Sequence, residues 1–264
     1  MLPLAAQQPD TAIVNLVPTQ VVSNTNGVLI SADRRGFFYV ADAQGNVQQY
    51  KSNAEKGLLY SPQKQTRPTV IEAWNGLSIL VFSRGFQEYS LLDRFLSTDR
   101  VVEVPNTENS FAAMVAISND NNLWVLDMSR FSVNKFQLNT GQLLFSNPLD
   151  LKLRKQLKDP IGFTEYQNYL YLTDSTGEVY LFDNTGIYLQ SLAVSDAPIA
   201  FANDYLIRLQ GNTFTLDPLP RSTQKKPIKM GLKLGEPIIG ITYSNGKLVV
   251  LTATAIRFYN LNFN

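Results

Sequence analysis

Apolar residues along the chain come in short runs broken by Gly, Asn and Asp, and the runs recur in groups of three or four. The clearest group spans residues 160–194: PIGFTEY, YLYLTD, EVYLFD and IYLQSLAV, with short polar turns between them. Runs this short, rich in aromatic and β-branched residues and bounded by turn formers, predict strands rather than helices. The grouping returns as GVLISAD, FFYVAD, NVQQYK and GLLYSP over 27–62, and as TVIEAW, LSILVFS, FQEYSLL and RVVEVP over 69–105. It continues as FAAMVAIS, NLWVLD, VNKFQL and GQLLFSN over 111–147, and as APIAFA, YLIRL, NTFTLD and PIKMGLKL over 197–234. The last group, PIIGITYS, KLVVLT and AIRFYNL over 237–261, is one strand short.

The ends of the second strands fall at Asp42, Ser83, Asp127, Asp174, Leu209 and Thr252, about 42 residues apart on average, which is the length of a four-stranded propeller blade. The sixth group lacks its fourth strand, while TAIVNLVPTQV stands unassigned before the first. Pairing residues 11–17 with the sixth group would close a ring and remove its open edges. The pattern therefore predicts an all-β fold, a six-bladed β-propeller of four-stranded antiparallel blades, with an N-terminal strand completing the last blade. With YLTDSTGEVYLFDNTG as its best local match, the chain resembles the NHL and TolB-like groups of six-bladed propellers, and the resemblance is one of architecture. Ser83, Leu209 and Thr252 depart from the Asp of that pattern, so the resemblance implies the fold and no particular activity.

The turns 43–46, 175–177, 211–212 and 245–246 carry Gly and Asn, which tolerate the positive φ that tight hairpins need. None of them makes a phosphate loop, because strands and not helix N-termini follow. Asp42, Asp127 and Asp174 sit where a second strand meets its turn, the place for a carboxylate that accepts turn N–H bonds, so removing one should cost about 1 kcal/mol.

Composition narrows the chemistry. The 264 residues include 44% hydrophobic and only 17% charged, with a formal net charge of +1, so no global field draws nucleic acid and none is expected as a partner. Cys and His are both absent, which excludes disulfides, thiolate nucleophiles, Ser-His-Asp hydrolysis and His-liganded zinc. No apolar run is long enough to span a membrane. Residues 1–10 read as a flexible N-terminus: Leu2, Leu4, Ala5 and Ala6 followed by Gln7 and Gln8 resemble the end of a signal peptide, while an ordinary terminus is the alternative. Residues 11–264 are read as the propeller domain. The expected location is the periplasm or another exported site in the cell envelope, with the cytoplasm as alternative.

Six-bladed propellers include calcium-dependent lactonases and esterases whose carboxylates converge at the channel mouth. The comparable innermost positions here are Ser31, Glu72, Ser118, Thr164, Asn203 and Thr242, of which Glu72 alone is charged, too few for a hard cation. No catalytic residue, metal site or cofactor is assigned. Basic residues instead gather in the connections. DLKLRKQLKDP (150–160) carries Arg154, Lys155 and Lys158 between leucines, and RSTQKKPIK (221–229) is a second cluster. Arg67, Arg84 and Arg130 lie in other turns, and Trp74 sits at a hairpin tip, while Trp124 is read as core. Loops on a rigid scaffold commonly carry recognition. The expectation is a non-enzymatic protein-binding or scaffold module of a bacterial envelope assembly, possessing no membrane span but suited to a peripheral subunit of a membrane complex. The candidate contacts are Arg67, Trp74, Arg84, Arg130, Arg154, Lys155 and Lys158. A calcium-dependent propeller lactonase or esterase, and a glycan or peptide binder, are the alternatives.

Overall fold

The structure, a computed structural model, describes residues 14–24, 26–74, 76, 78–105, 110–222 and 224–262. Residues 1–13, with the signal-like stretch and the start of the proposed closing strand, lie outside it. Two short strands open the described chain, β1 (Val14–Asn15) and β2 (Pro18–Ser23). The first blade holds β3 (Gly27–Ala32), β4 (Phe38–Asp42), β5 (Val47–Tyr50) and β6 (Lys56–Tyr60). The second holds β7 (Val70–Glu72), β8 (Ile79–Ser83), β9 (Glu88–Leu92) and β10 (Thr98–Glu103). The third is β11 (Ala112–Ile117), β12 (Leu123–Asp127), β13 (Ser132–Phe136) and β14 (Leu143–Pro148), followed by a short helix, α1 (Leu151–Gln156). The fourth is β15 (Pro160–Tyr166), β16 (Tyr169–Asp174), β17 (Glu178–Phe182) and β18 (Tyr188–Val194). The fifth is β19 (Ala200–Ala202), β20 (Tyr205–Gln210), β21 (Thr213–Pro218) and β22 (Ile228–Gly231), and the sixth is β23 (Ile238–Ser244), β24 (Lys247–Thr252) and β25 (Ala255–Asn260).

Each blade is an antiparallel meander, and its first strand packs beside the first strand of a neighbouring blade to line the centre of the ring. The sixth blade is completed from the N-terminus, as the missing strand requires. The strand that does so is β2, antiparallel to β25 with Val21 facing Arg257 and Val22 facing Ile256. The closing strand therefore lies just beyond residues 11–17, where the pattern of the sequence puts it. Val14 and Asn15 pair in parallel with Met230 and Gly231, adding a fifth strand to the fifth blade. One apolar stretch thus straps two blades together.

Apolar side chains of second and third strands pack between blades. Trp124, Phe82, Leu170, Phe182 and Phe163 share one core cluster, whereas Phe38 and Phe258 meet edge to face at 5.6 Å across the first and sixth blades. Trp124 is fully buried, as expected. The link 150–160 is not a plain loop: Asp150 caps α1 by accepting from the N–H groups of Lys152 (2.6 Å) and Leu153 (3.3 Å). Leu149, Leu153 and Leu157, four residues apart, all point into the core.

One four-residue turn is built repeatedly. In DRRG (33–36), DAQG (42–45), DSTG (174–177) and DNTG (183–186), the Gly N–H donates to the Asp backbone carbonyl and the Gly φ is +82° to +90°. The Asp Oδ1 accepts from the N–H groups two and four residues on, as from Gln44 and Asn46 at 2.9 Å each. DRFL (93–96) makes the same turn with Leu96 at φ 58°. At Gly177 a Cβ would lie 2.0 Å from the Ser195 carbonyl oxygen, whereas at Gly211, φ +57°, it would meet nothing within 4 Å. Gly211→Ala should cost only the left-handed conformation, about 1 kcal/mol. Gly177→Ala adds a backbone clash and should cost at least about 2 kcal/mol more, measured by urea unfolding of both variants.

Candidate functional site

Because each blade is a meander, its connections alternate between two faces of the ring. Hairpins joining first to second and third to fourth strands share one face. Those joining second to third strands share the other with the links between blades. Arg67, Arg84, Arg130, Arg154, Lys155 and Lys158 all fall on this second face, and Trp74 falls on the first.

Three of these basic groups are engaged within the chain. Arg84 reaches across three blades: its Nε donates to the Ala113 carbonyl (2.8 Å), Nη2 to the Pro160 carbonyl (3.1 Å) and Nη1 to Asp159 (3.0 Å). It pins blades two, three and four at the centre of that face. Arg154 donates to the Leu149 carbonyl at 2.8 Å and lies over the Phe131 ring at 5.6 Å. Arg130 also has a partner. Arg67, Lys152, Lys155 and Lys158 are exposed, the last three on or beside α1, where Leu151 is 73% exposed.

The opposite face is ringed by hairpin tips rich in Asn. Asn119 donates to Asn168 (3.1 Å), Asn245 to the Arg34 carbonyl (3.1 Å), and Tyr166 Oη to the Asn203 carbonyl (2.9 Å), so neighbouring blades are laced pairwise at this mouth. Trp74 is half-buried there with the Arg34 guanidinium 4.4 Å from its ring centre. Below it lies a central cavity of about 170 Å³, lined by five of the six blades.

Glu72, on the innermost strand of the second blade, lines this cavity. Its Oε2 accepts from the Ile117 N–H at 2.7 Å, and its Oε1 has no hydrogen-bond partner among the described residues. Burial pushes its pKa up to about 8, opposed by the Ile117 bond, reinforced by the charge of Glu165 and eased by the approach of the Trp74 indole. Glu165 is the group that position matching missed. One residue along from Thr164, it points into the third blade, where Oε2 accepts from Trp124 Nε1 at 2.5 Å and Oε1 from the Asn119 N–H at 3.3 Å. Its signal was a lone acid in the apolar run PIGFTEY. Of the other innermost polar positions, Ser31 accepts from the Ala73 N–H at 3.1 Å, again across a blade boundary. Among the described residues, no three acidic side chains come together as a metal site.

Asp174 is a turn former, as its place in the sequence implies, but a fully buried one. It accepts from the N–H groups of Thr176 (2.9 Å), Lys158 (3.0 Å) and Glu178 (3.3 Å), and from Tyr180 Oη (3.0 Å). Burial alone would raise its pKa; bonds from the Thr176 hydroxyl, the Lys158 and Thr176 N–H groups and Tyr180 outweigh that and hold it below the usual value.

No known protein family matches the chain by sequence profile, and no curated protein matches it by sequence. Solved structures do match in fold. The β-propeller domain of Cps50 (Swd1) from Myceliophteria thermophila superposes with a TM-score of 0.64 at 11% identity, over 94% of this chain and 100% of that one. The Pan2 WD40 domain of Neurospora crassa gives 0.64 at 6% identity, over 95% and 97%. Virginiamycin B lyase from Staphylococcus aureus gives 0.58 at 11% identity, over 92% and 99%. At such identities the likeness shows the fold alone.

Asp174→Ala strands donors in the link after α1, in the turn and on β17, and should cost about 3 kcal/mol, beyond the 1 kcal/mol that a solvated turn implies. A group whose folded pKa is depressed stabilises above the unfolded carboxylate value near 4 and loses that contribution as pH falls through the lower folded value. The gap in melting temperature between wild type and Asp174→Ala should therefore hold steady above about pH 5 and close below about pH 4. A gap unchanged in acid would show that the Asp174 charge stabilises nothing.

Proposed function

We propose that the chain is a non-enzymatic protein-binding disc whose contact surface is the face carrying α1. The observation that carries this reading is the helix itself. Its leucines anchor it to the core while Lys152, Lys155 and Lys158 project with Leu151 into solvent. Ordered cations around an exposed apolar side chain suit an acidic partner surface, steered electrostatically and held by apolar contact. The likeness to a WD40 domain supports the propeller disc on which this reading rests.

The lyase neighbour favours an enzyme as the second reading. That structure is a form rendered catalytically inactive by changing a histidine to alanine, and the present sequence has no histidine to supply such a group. The two innermost carboxylates, Glu72 and Glu165, are both spent partly on the third blade, which also argues against a calcium-dependent hydrolase. An envelope location accords with the signal-like residues 2–8, and makes the partner a component of an exported or membrane-peripheral assembly.

The test is a charge reversal that spares the fold. Arg154 is unsuitable because its guanidinium holds the Leu149 carbonyl. Lys152, Lys155 and Lys158, changed together to Glu, should keep the wild-type melting temperature and lose most of the partner recovered by quantitative pull-down from the native envelope fraction. Undiminished recovery by the folded variant would rule α1 out as the interface.

A further inference from the structure

We propose that the central cavity binds an organic ammonium group, either a free primary amine or the tip of a lysine side chain, with Glu72 as its counter-ion. Three buried acceptor atoms of cavity-lining residues have no hydrogen-bond partner among the described residues, Glu72 Oε1, Tyr171 Oη and Thr173 Oγ1, and the Trp74 indole approaches the Glu72 carboxylate without completing a bond to it. Glu72, Tyr171 and Thr173 are each at least 95% buried. Buried polar groups are almost always satisfied, so several orphans around one cavity mark a site for something that supplies partners. All three can accept a hydrogen bond, and an ammonium offers three donors.

The sign of the charge follows from the surroundings. Glu72 carries one oxygen fixed on Ile117 and one turned loose, and the charge of Glu165 adds to it from the far side of the third blade. Burial, aided by the charge of Glu165, favours the protonated Glu72 carboxyl, and that same charge repels an anionic ligand. A cation can take the proton's place. The walls add π surface: Tyr166 and Phe201 stack at 4.6 Å, and Tyr171 tilts against Phe201 at 4.7 Å, with Trp74 at the mouth. A cavity of about 150 Å³ takes a molecule of benzene size, so this one has room for an amine of five or six non-hydrogen atoms.

Burial pushes the Tyr166, Tyr171 and Tyr243 phenols upward, Lys135 lies beyond the Trp124 ring and pairs with Asp120, and Arg34 covers the outside of Trp74. Binding of an ammonium below the Glu72 pKa of about 8 must then release the Glu72 proton.

The chain has two tryptophans, so its indole N–H signals are assigned with one Trp74→Phe variant. Titration with n-butylammonium chloride at pH 7 should shift the Trp74 signal saturably, while butan-1-ol, its neutral counterpart, should not. Calorimetry in buffers of different ionisation enthalpy should find close to one proton released per amine bound. Glu72→Gln, which keeps the acceptor for Ile117, should retain the fold and weaken butylammonium roughly tenfold or more. A lysine peptide that binds more tightly than butylammonium, and loses affinity on acetylation of the lysine, identifies a protein side chain as the source; equal or weaker peptide binding identifies a free amine. Equal binding of butanol, no proton release by the wild type, or no saturable shift with the amine would each overturn the proposal.

Discussion

Everything in this molecule depends on the pairing of β2 with β25. A ring of blades held only by contacts between successive neighbours would have a seam between the first and the sixth. Here the seam is crossed by backbone hydrogen bonds, because the strand that completes the last blade comes from the first part of the chain. Asn24 then ties the strap to the turn it leaves: its Nδ2 donates to the Thr252 carbonyl at 2.7 Å and its Oδ1 accepts from the Gly27 N–H at 2.7 Å. On the other side, Leu16 donates to the Gly231 carbonyl at 2.8 Å, so the same segment also holds the fifth blade. Closure makes the first strands a rigid lining, and the positions of Glu72 and Glu165 have meaning only on that lining.

Rigidity is renewed blade by blade through side chains that satisfy a neighbour's backbone. Ser31 serves the second blade, Glu72 and Glu165 the third from its two sides, and Ser244 donates to the Asp33 carbonyl of the first at 2.6 Å. Innermost strands have one unpaired edge, and a short polar side chain from the next blade covers it where a further strand would not fit. These residues therefore answer first to structure, and function is left to what remains unsatisfied or exposed.

The blades were legible in the sequence because their strands are short, apolar and separated by Gly and Asn turns, so period and count could both be read from DSTG and its relatives. The register of closure was not. Residues 11–17 and 18–23 are both plausible edge strands, and only the fit against Ile256 and Phe258 selects the second. Helix α1 was readable in the four-residue spacing of Leu149, Leu153 and Leu157, yet the density of Lys and Arg suggested a solvated loop. Face assignment was beyond the sequence: Arg67, Arg84, Arg130 and α1 are far apart along the chain and share a face only through strand direction. Burial was equally hidden, which is why Asp174 looked like one of several equivalent turn residues although its carboxylate joins the link after α1 to the third strand of its blade. Asp33 and Asp183 carry the same D-x-x-G signal as Asp42 and could have been found with it.

The most direct test of the account is a cross-link across the closing pair. The sequence contains no cysteine, so a new pair has no competitor. Val21 and Arg257 face each other on β2 and β25, within the reach of a disulfide for directly opposed antiparallel residues. Val21→Cys with Arg257→Cys should oxidise to an intramolecular bond in the folded monomer, seen as faster migration on a non-reducing gel, and should raise the melting temperature. Val17→Cys with Arg257→Cys should not. Cross-linking of the second pair in place of the first, or of neither in a folded chain, would contradict closure by β2.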